Sequence, residues 1–159
     1  MKNIAGFVVF FLFLSACAPA VVGTTPVQQT DGDLSLSVQK LDVFYTGINE
    51  AQNKDEFYAP WDMLTSRTQC FPRYACDISY FQDWWWQWKV AYKLYDCGSN
   101  RVIAEELRYP RTGSAAAEEI KPQFWRYEMV VSDERWMINE IKFSQPPGSE
   151  CPLALDRSK

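Results

Sequence analysis

Hydrophobic positions divide the chain into an apolar start, a helical stretch and a run of strands. The first apolar block runs from Ile4 to Ala16 behind Lys2. It is shorter than the about 20 residues a permanent membrane helix needs, and it has the charged start and apolar middle of a secretory signal. From Leu34 to Ala51, Leu34, Val38, Leu41, Tyr45 and Ile48 recur in steps of four and three, which predicts an amphipathic helix capped by Asp33 or Ser35. Asp55 is a candidate cap for a shorter second helix with Tyr58, Trp61, Met63 and Leu64 facing inward and Pro60 limiting its length. Asp77 caps one further turn bearing Ile78, Tyr80 and Phe81.

The period then changes to two. Trp84, Trp86, Trp88, Val90, Tyr92 and Leu94 occupy even positions, and alternation of this length predicts a half-buried strand. Asp96-Cys97-Gly98-Ser99-Asn100 signals a turn, and strands follow over 101–109, 123–131 and 135–143. Ser132-Asp133-Glu134 is a tight turn, and 152–159 is expected to be an irregular tail behind two prolines. The result is an α+β domain over 34–151, with two to three N-terminal helices packed on one face of a curved four-stranded antiparallel sheet.

The apolar start ends in Leu14-Ser15-Ala16-Cys17, which resembles the lipobox of bacterial lipoproteins. The resemblance implies a signal peptide over 1–16 and a lipidated Cys17 as the new N-terminus. It also implies an extracytoplasmic, lipid-anchored location in the cell envelope, with Ala18 compatible with the outer membrane of a Gram-negative host. Acyl chains at about 0.8 kcal/mol per buried CH₂ anchor such a protein stably. Residues 17–33 are small, polar and Pro/Gly-bearing, and read as a tether with a reach of roughly 20–25 Å. Element order, Tyr45 to Ile48 in a long first helix, Trp61 and Leu64 in the second, and Trp136-Met137-Ile138 after a turn are similar to the nuclear transport factor 2-like, or cystatin-like cone, superfold over residues 36–143. That resemblance implies a sheet wrapped around helices, with a pocket at the wide end.

Composition narrows the chemistry. The 159 residues hold no histidine, which excludes Ser-His-Asp and Cys-His nucleophiles and removes the commonest zinc ligand. A net charge of −4 gives nucleic-acid binding no electrostatic footing. Besides Cys17 there are four cysteines, Cys70, Cys76, Cys97 and Cys151. In an oxidising compartment an even number predicts two disulfides. Three pairings are open; closing the short Cys70–Cys76 loop costs least entropy and would leave Cys97 with Cys151. No C-x-x-C spacing supports a metal site, and no cofactor is expected.

Seven tryptophans stand out. With even positions facing the helices, Trp84, Trp86 and Trp88 are expected in the core. Trp85 and Gln87 then fall on the opposite face as candidate partner or ligand contacts. Glu105 shares a strand face with Ile103, Leu107 and Tyr109, and a carboxylate among apolar neighbours is a candidate acid or base, with Asp83, Tyr80 and Glu128 as accessory groups. Pairing of such carboxylates with Arg101, Arg108 or Arg126 is the simpler expectation, and Glu118-Glu119 reads as solvated charge. The function class that fits is a non-catalytic binding or assembly module, its partner another envelope protein or a small apolar ligand. The alternatives are an apolar-ligand carrier or cone-pocket isomerase or dehydratase, and an inhibitor or immunity-type lipoprotein.

Overall fold

The structure is a computed structural model that describes residues 34–111 and 121–159. The segments expected as signal peptide and tether, with Cys17, and Glu118-Glu119 lie outside the described residues. The first helix, α1 (Leu36–Glu50), begins where the Ser35 hydroxyl accepts from the Val38 amide, and it buries Val38, Leu41, Phe44, Tyr45 and Ile48. A 3₁₀ turn (Lys54–Phe57), capped by Asn53 rather than Asp55, leads into α2 (Tyr58–Asp62). There Pro60 is buried and Tyr58, expected to face inward, is exposed. The single-turn helix α3 (Ser66–Gln69) is capped by Thr65.

The fourth helix, α4 (Ile78–Trp86), corrects the largest expectation drawn from the sequence. Trp84, Trp85 and Trp86 end this helix instead of starting a strand, and β1 (Trp88–Asp96) begins only at Trp88. Asp77 accepts from the Ser79 amide and starts the helix. Phe81 and Trp85, four apart, then stack one above the other on its buried side. Three consecutive tryptophans satisfy either period, so the cap and the Phe81–Trp85 step decide. Trp85 is therefore 1% exposed, and Trp84, Trp86 and Trp88 are half-buried.

The strands β1, β2 (Arg101–Pro110), β3 (Gln123–Ser132), β4 (Arg135–Phe143) and β5 (Leu153–Arg157) form one antiparallel sheet in the order β4-β3-β2-β1-β5. The fifth strand replaces the irregular tail. Leu155 is buried opposite Leu94, and the Cys97–Cys151 disulfide sets the segment beside β1. Asp133 and Glu134 both have positive φ and form the two-residue turn between β3 and β4. One sheet face carries Val90, Tyr92, Leu94, Val102, Ala104, Tyr127, Met129 and Ile138 into a single core with α1, Leu64 and Phe81. The edge of β4 is partly covered, because the Thr65 amide donates to the Ile138 carbonyl and the Ile138 amide to that of Met63. Among the described residues no helix is long and apolar enough to cross a membrane.

Candidate functional site

The inward face of β2 carries a charged pair into the core. Side chains alternate along a strand, so Glu106 and Arg108 lie on the same face as Val102 and Ala104. Glu106 is fully buried. The Tyr45 hydroxyl from α1 donates to its Oε1, and the Tyr127 hydroxyl from β3 lies 3.1 Å from the same oxygen and 2.8 Å from the Tyr45 hydroxyl. Arg108 Nε donates to Oε2 at 2.8 Å, and Arg108 Nη2 donates to it as well. Both carboxylate oxygens are thus engaged, and the buried charge has a counter-charge, as a carboxylate removed from water requires.

The surrounding groups respond to this charge. Burial, reinforced by the Glu106 charge, raises both Tyr45 and Tyr127 well above the ordinary phenol range. Burial pushes Tyr74 up to about 12. Burial pulls the Arg108 guanidinium down, but Glu106, together with Tyr127 and Tyr45, offsets this and the net shift is upward. Tyr45 also stacks on Tyr92 at 4.4 Å between ring centroids, which fixes the phenol that reaches Glu106.

Indoles and a second guanidinium lie over this pair. Arg108 Cζ is 5.6 Å from the Trp84 ring, 5.3 Å from Trp85 and 5.6 Å from Trp125. The Cys70–Cys76 disulfide closes the loop that carries Arg73, whose Cζ stands 4.1 Å from Trp84 and 5.1 Å from Trp125. Ala75 and Cys76 take positive φ where that loop turns back into α4. Phe143, at the end of β4, sets its ring edge-on to Trp125 at 5.8 Å and remains 68% exposed. The result is a cation–aromatic mouth with Glu106 sealed beneath it.

The residues singled out from sequence lie elsewhere. Glu105 is half-buried on the outer sheet face, where it accepts from Lys93 Nζ at 3.1 Å and from the Tyr95 hydroxyl at 2.7 Å. Asp83 is exposed and pairs with Lys54; Tyr80 is 57% exposed on α4. Glu105 is thus on the face opposite the helix that bears the other two. Glu128 pairs with Arg126 at 3.4 Å. Trp85, expected as a contact residue, is buried against Phe44, Tyr45 and Phe81. Gln87 is exposed and donates to the Asp83 carbonyl.

The missed carboxylate had a signal. In the β1–β2 hairpin, paired residue numbers keep parity, as in Tyr92 with Glu106 and Leu94 with Ala104. Paired residues share a face, so even residues inward on β1 require even residues inward on β2.

Two clefts open elsewhere. One of about 720 Å³ is lined by Thr46, Asn49, Lys89, Tyr92, Tyr109 and Arg157, and one of about 480 Å³ by Val43, Pro60, Met63, Trp136 and Met137, among others. Neither is lined by Glu105, Glu106 or Trp84. Among the described residues no group of three or more Cys, Asp and Glu could hold a metal ion. Comparison with protein-family models, with curated proteins and with solved structures finds no match.

Proposed function

We propose that the chain is a lipid-anchored cell-envelope protein whose single domain works by binding another envelope protein, and that the mouth formed by Arg73, Trp84, Trp125 and Phe143 is its contact face. The observation that carries this reading is the state of Glu106. With Oε1 engaged by two phenols and Oε2 by Arg108, the buried carboxylate has no position left for a reacting proton. What stands over it has the composition of an interface centre, Trp and Arg around an exposed aromatic. The order of helices first and antiparallel strands after supports the cone-like superfold as the scaffold. The Leu14-Ser15-Ala16-Cys17 motif supports the anchor, Cys17 being the lipidated residue.

Two measurements test the reading. Replacing Cys17 with Ser should abolish palmitate labelling and release the protein from the membrane fraction; unchanged labelling refutes the anchor. A photocrosslinking amino acid at Phe143, in cells, should give one discrete adduct that is lost in Trp125→Ala, while the same probe at Glu128 on the opposite face gives none. Equal adducts from both positions, or none from Phe143, refute the contact face.

A further inference from the structure

We propose that the mouth is a carboxylate-binding site, and that the partner enters it with an acidic side chain or chain terminus beside an apolar residue. This rests on the binding-module reading above and deepens it. The mouth holds two guanidiniums and one carboxylate, and the carboxylate is wholly used by Arg108 and the two phenols. Among the described residues Arg73 makes no ion pair or hydrogen bond; its contacts are the faces of Trp84 and Trp125.

A guanidinium laid on aromatic faces keeps its N–H edge free, and that fork matches a planar carboxylate in a bidentate pair. The indole Nε1 groups of Trp84 and Trp125 are also shielded from solvent and without a hydrogen-bond partner, and Trp125 as a whole is only 8% exposed. Unsatisfied buried donors are uncommon in native proteins. This site therefore carries an excess of positive charge, and the two rings that flank Arg73 each bear an unpartnered N–H. A ligand that complements it brings negative charge and acceptor oxygens. The exposed ring of Phe143, against Trp125, supplies the apolar contact beside them.

The geometry also explains the short disulfide loop. Arg73 is the middle of the Cys70–Cys76 segment, and closing that loop limits how far the guanidinium can wander from the two indoles. Preorganised in this way, the fork loses little freedom when it pairs.

The test uses the full mature chain in detergent, with the side-chain indole ¹H–¹⁵N signals of Trp84 and Trp125 assigned from Trp84→Phe and Trp125→Phe. N-acetyl-phenylalanine, a carboxylate beside a ring, is the probe. It should shift both signals with millimolar affinity, weakening as salt is raised. Arg73→Gln should weaken binding at least tenfold, Arg73→Lys should fall between it and the native chain because charge remains without the fork, and Arg126→Gln on the outer face should leave binding unchanged. N-acetyl-phenylalanine amide, neutral and otherwise alike, should not bind. Equal affinity for acid and amide, or unaltered affinity in a folded Arg73→Gln, overturns the proposal. Inorganic phosphate binding as tightly as the probe overturns the commitment to a carboxylate. A failed titration with the Phe143 adduct intact rejects the carboxylate and leaves the binding module standing; a successful titration without the adduct does the reverse.

Discussion

Breaking the Glu106–Arg108 pair from either side should be far more damaging than removing it whole. Glu106 is fully buried and the Arg108 side chain only 11% exposed, so neither charge has water to fall back on. Glu106→Gln keeps the shape but leaves the guanidinium without a counter-charge. Arg108→Met leaves the carboxylate with only the Tyr45 and Tyr127 hydroxyls. Loss of one partner of a buried pair costs about 3–5 kcal/mol, so each single change should fall in that range. Simple addition would predict about 6–10 kcal/mol for the double variant, comparable with the whole stability of an ordinary domain. The double variant instead buries a neutral amide whose carbonyl can accept from both phenols, beside a thioether that fills the arginine's volume. It should be no less stable than the worse single variant, a coupling of about 3 kcal/mol or more. Urea unfolding at pH 7 with the disulfides intact, followed by circular dichroism and tryptophan fluorescence, measures it, provided the four denaturant slopes agree. Additivity within about 0.5 kcal/mol would mean the two groups do not depend on one another, and the account of the sealed pair would be wrong.

Trp85→Ala removes a ring packed against Phe44, Tyr45 and Phe81 and should cost about 3–5 kcal/mol, whereas Gln87→Ala, on the surface, should stay within about 0.5 kcal/mol in thermal melts. Alkaline pH should unfold the domain. Burial, then the Glu106 charge, raises Tyr45 and Tyr127, so the unfolded chain releases phenol protons from about pH 10 while the folded one holds them. Stability from these groups is fully present below about pH 9 and declines above about pH 10 by about 1.4 kcal/mol per pH unit for each phenol; Tyr127→Phe should remove one phenol's share of that slope. Replacing Cys97 and Cys151 with Ser opens a loop with a sequence separation of 54 and should cost about 4 kcal/mol, against about 2 kcal/mol for the Cys70–Cys76 pair with a separation of 6, both read from urea curves.

The α+β class, α1, the strands β2, β3 and β4 and the presence of two disulfides were legible from periodicity, turn residues and cysteine count, whereas the pairing of Cys70 with Cys76 and Cys97 with Cys151 was one of three that the sequence left open. The boundary between α4 and β1 was not legible. Trp84 to Trp88 reads equally well at periods of 3.6 and 2, and the deciding contacts of Trp85 with Phe44 and Tyr45 come from a helix some forty residues upstream. The strand β5 was hidden because Pro146 and Pro147 dominate the tail's local signal, while its pairing depends on β1. Glu106 was passed over for Glu105 because two adjacent glutamates differ only in which face they take. That choice is fixed by register across the hairpin and not by either residue's neighbours in sequence. Arg73 was invisible for another reason: nothing about an arginine among the five residues between Cys70 and Cys76 indicates that it lands on Trp84 and Trp125.

The strand order has a consequence for how the chain folds. The pairings among β1, β2, β3 and β4 are successive hairpins, joining neighbours along the sequence, and the meander can assemble from local contacts as soon as α1 covers its inner face. The β5 strand instead pairs Leu155 with Leu94 across the length of three intervening strands. Contacts at that separation pay a larger loop-closure entropy and form late. Until β5 docks, β1 is the open edge of the sheet, offering unpaired amides along a stretch that carries Tyr92 and Leu94, the kind of edge on which chains associate wrongly. The last few residues therefore act as the guard of the β1 edge of the sheet. A chain shortened by its final seven residues should keep its meander but collect as oligomers built on β1, rather than simply losing a little stability at one end.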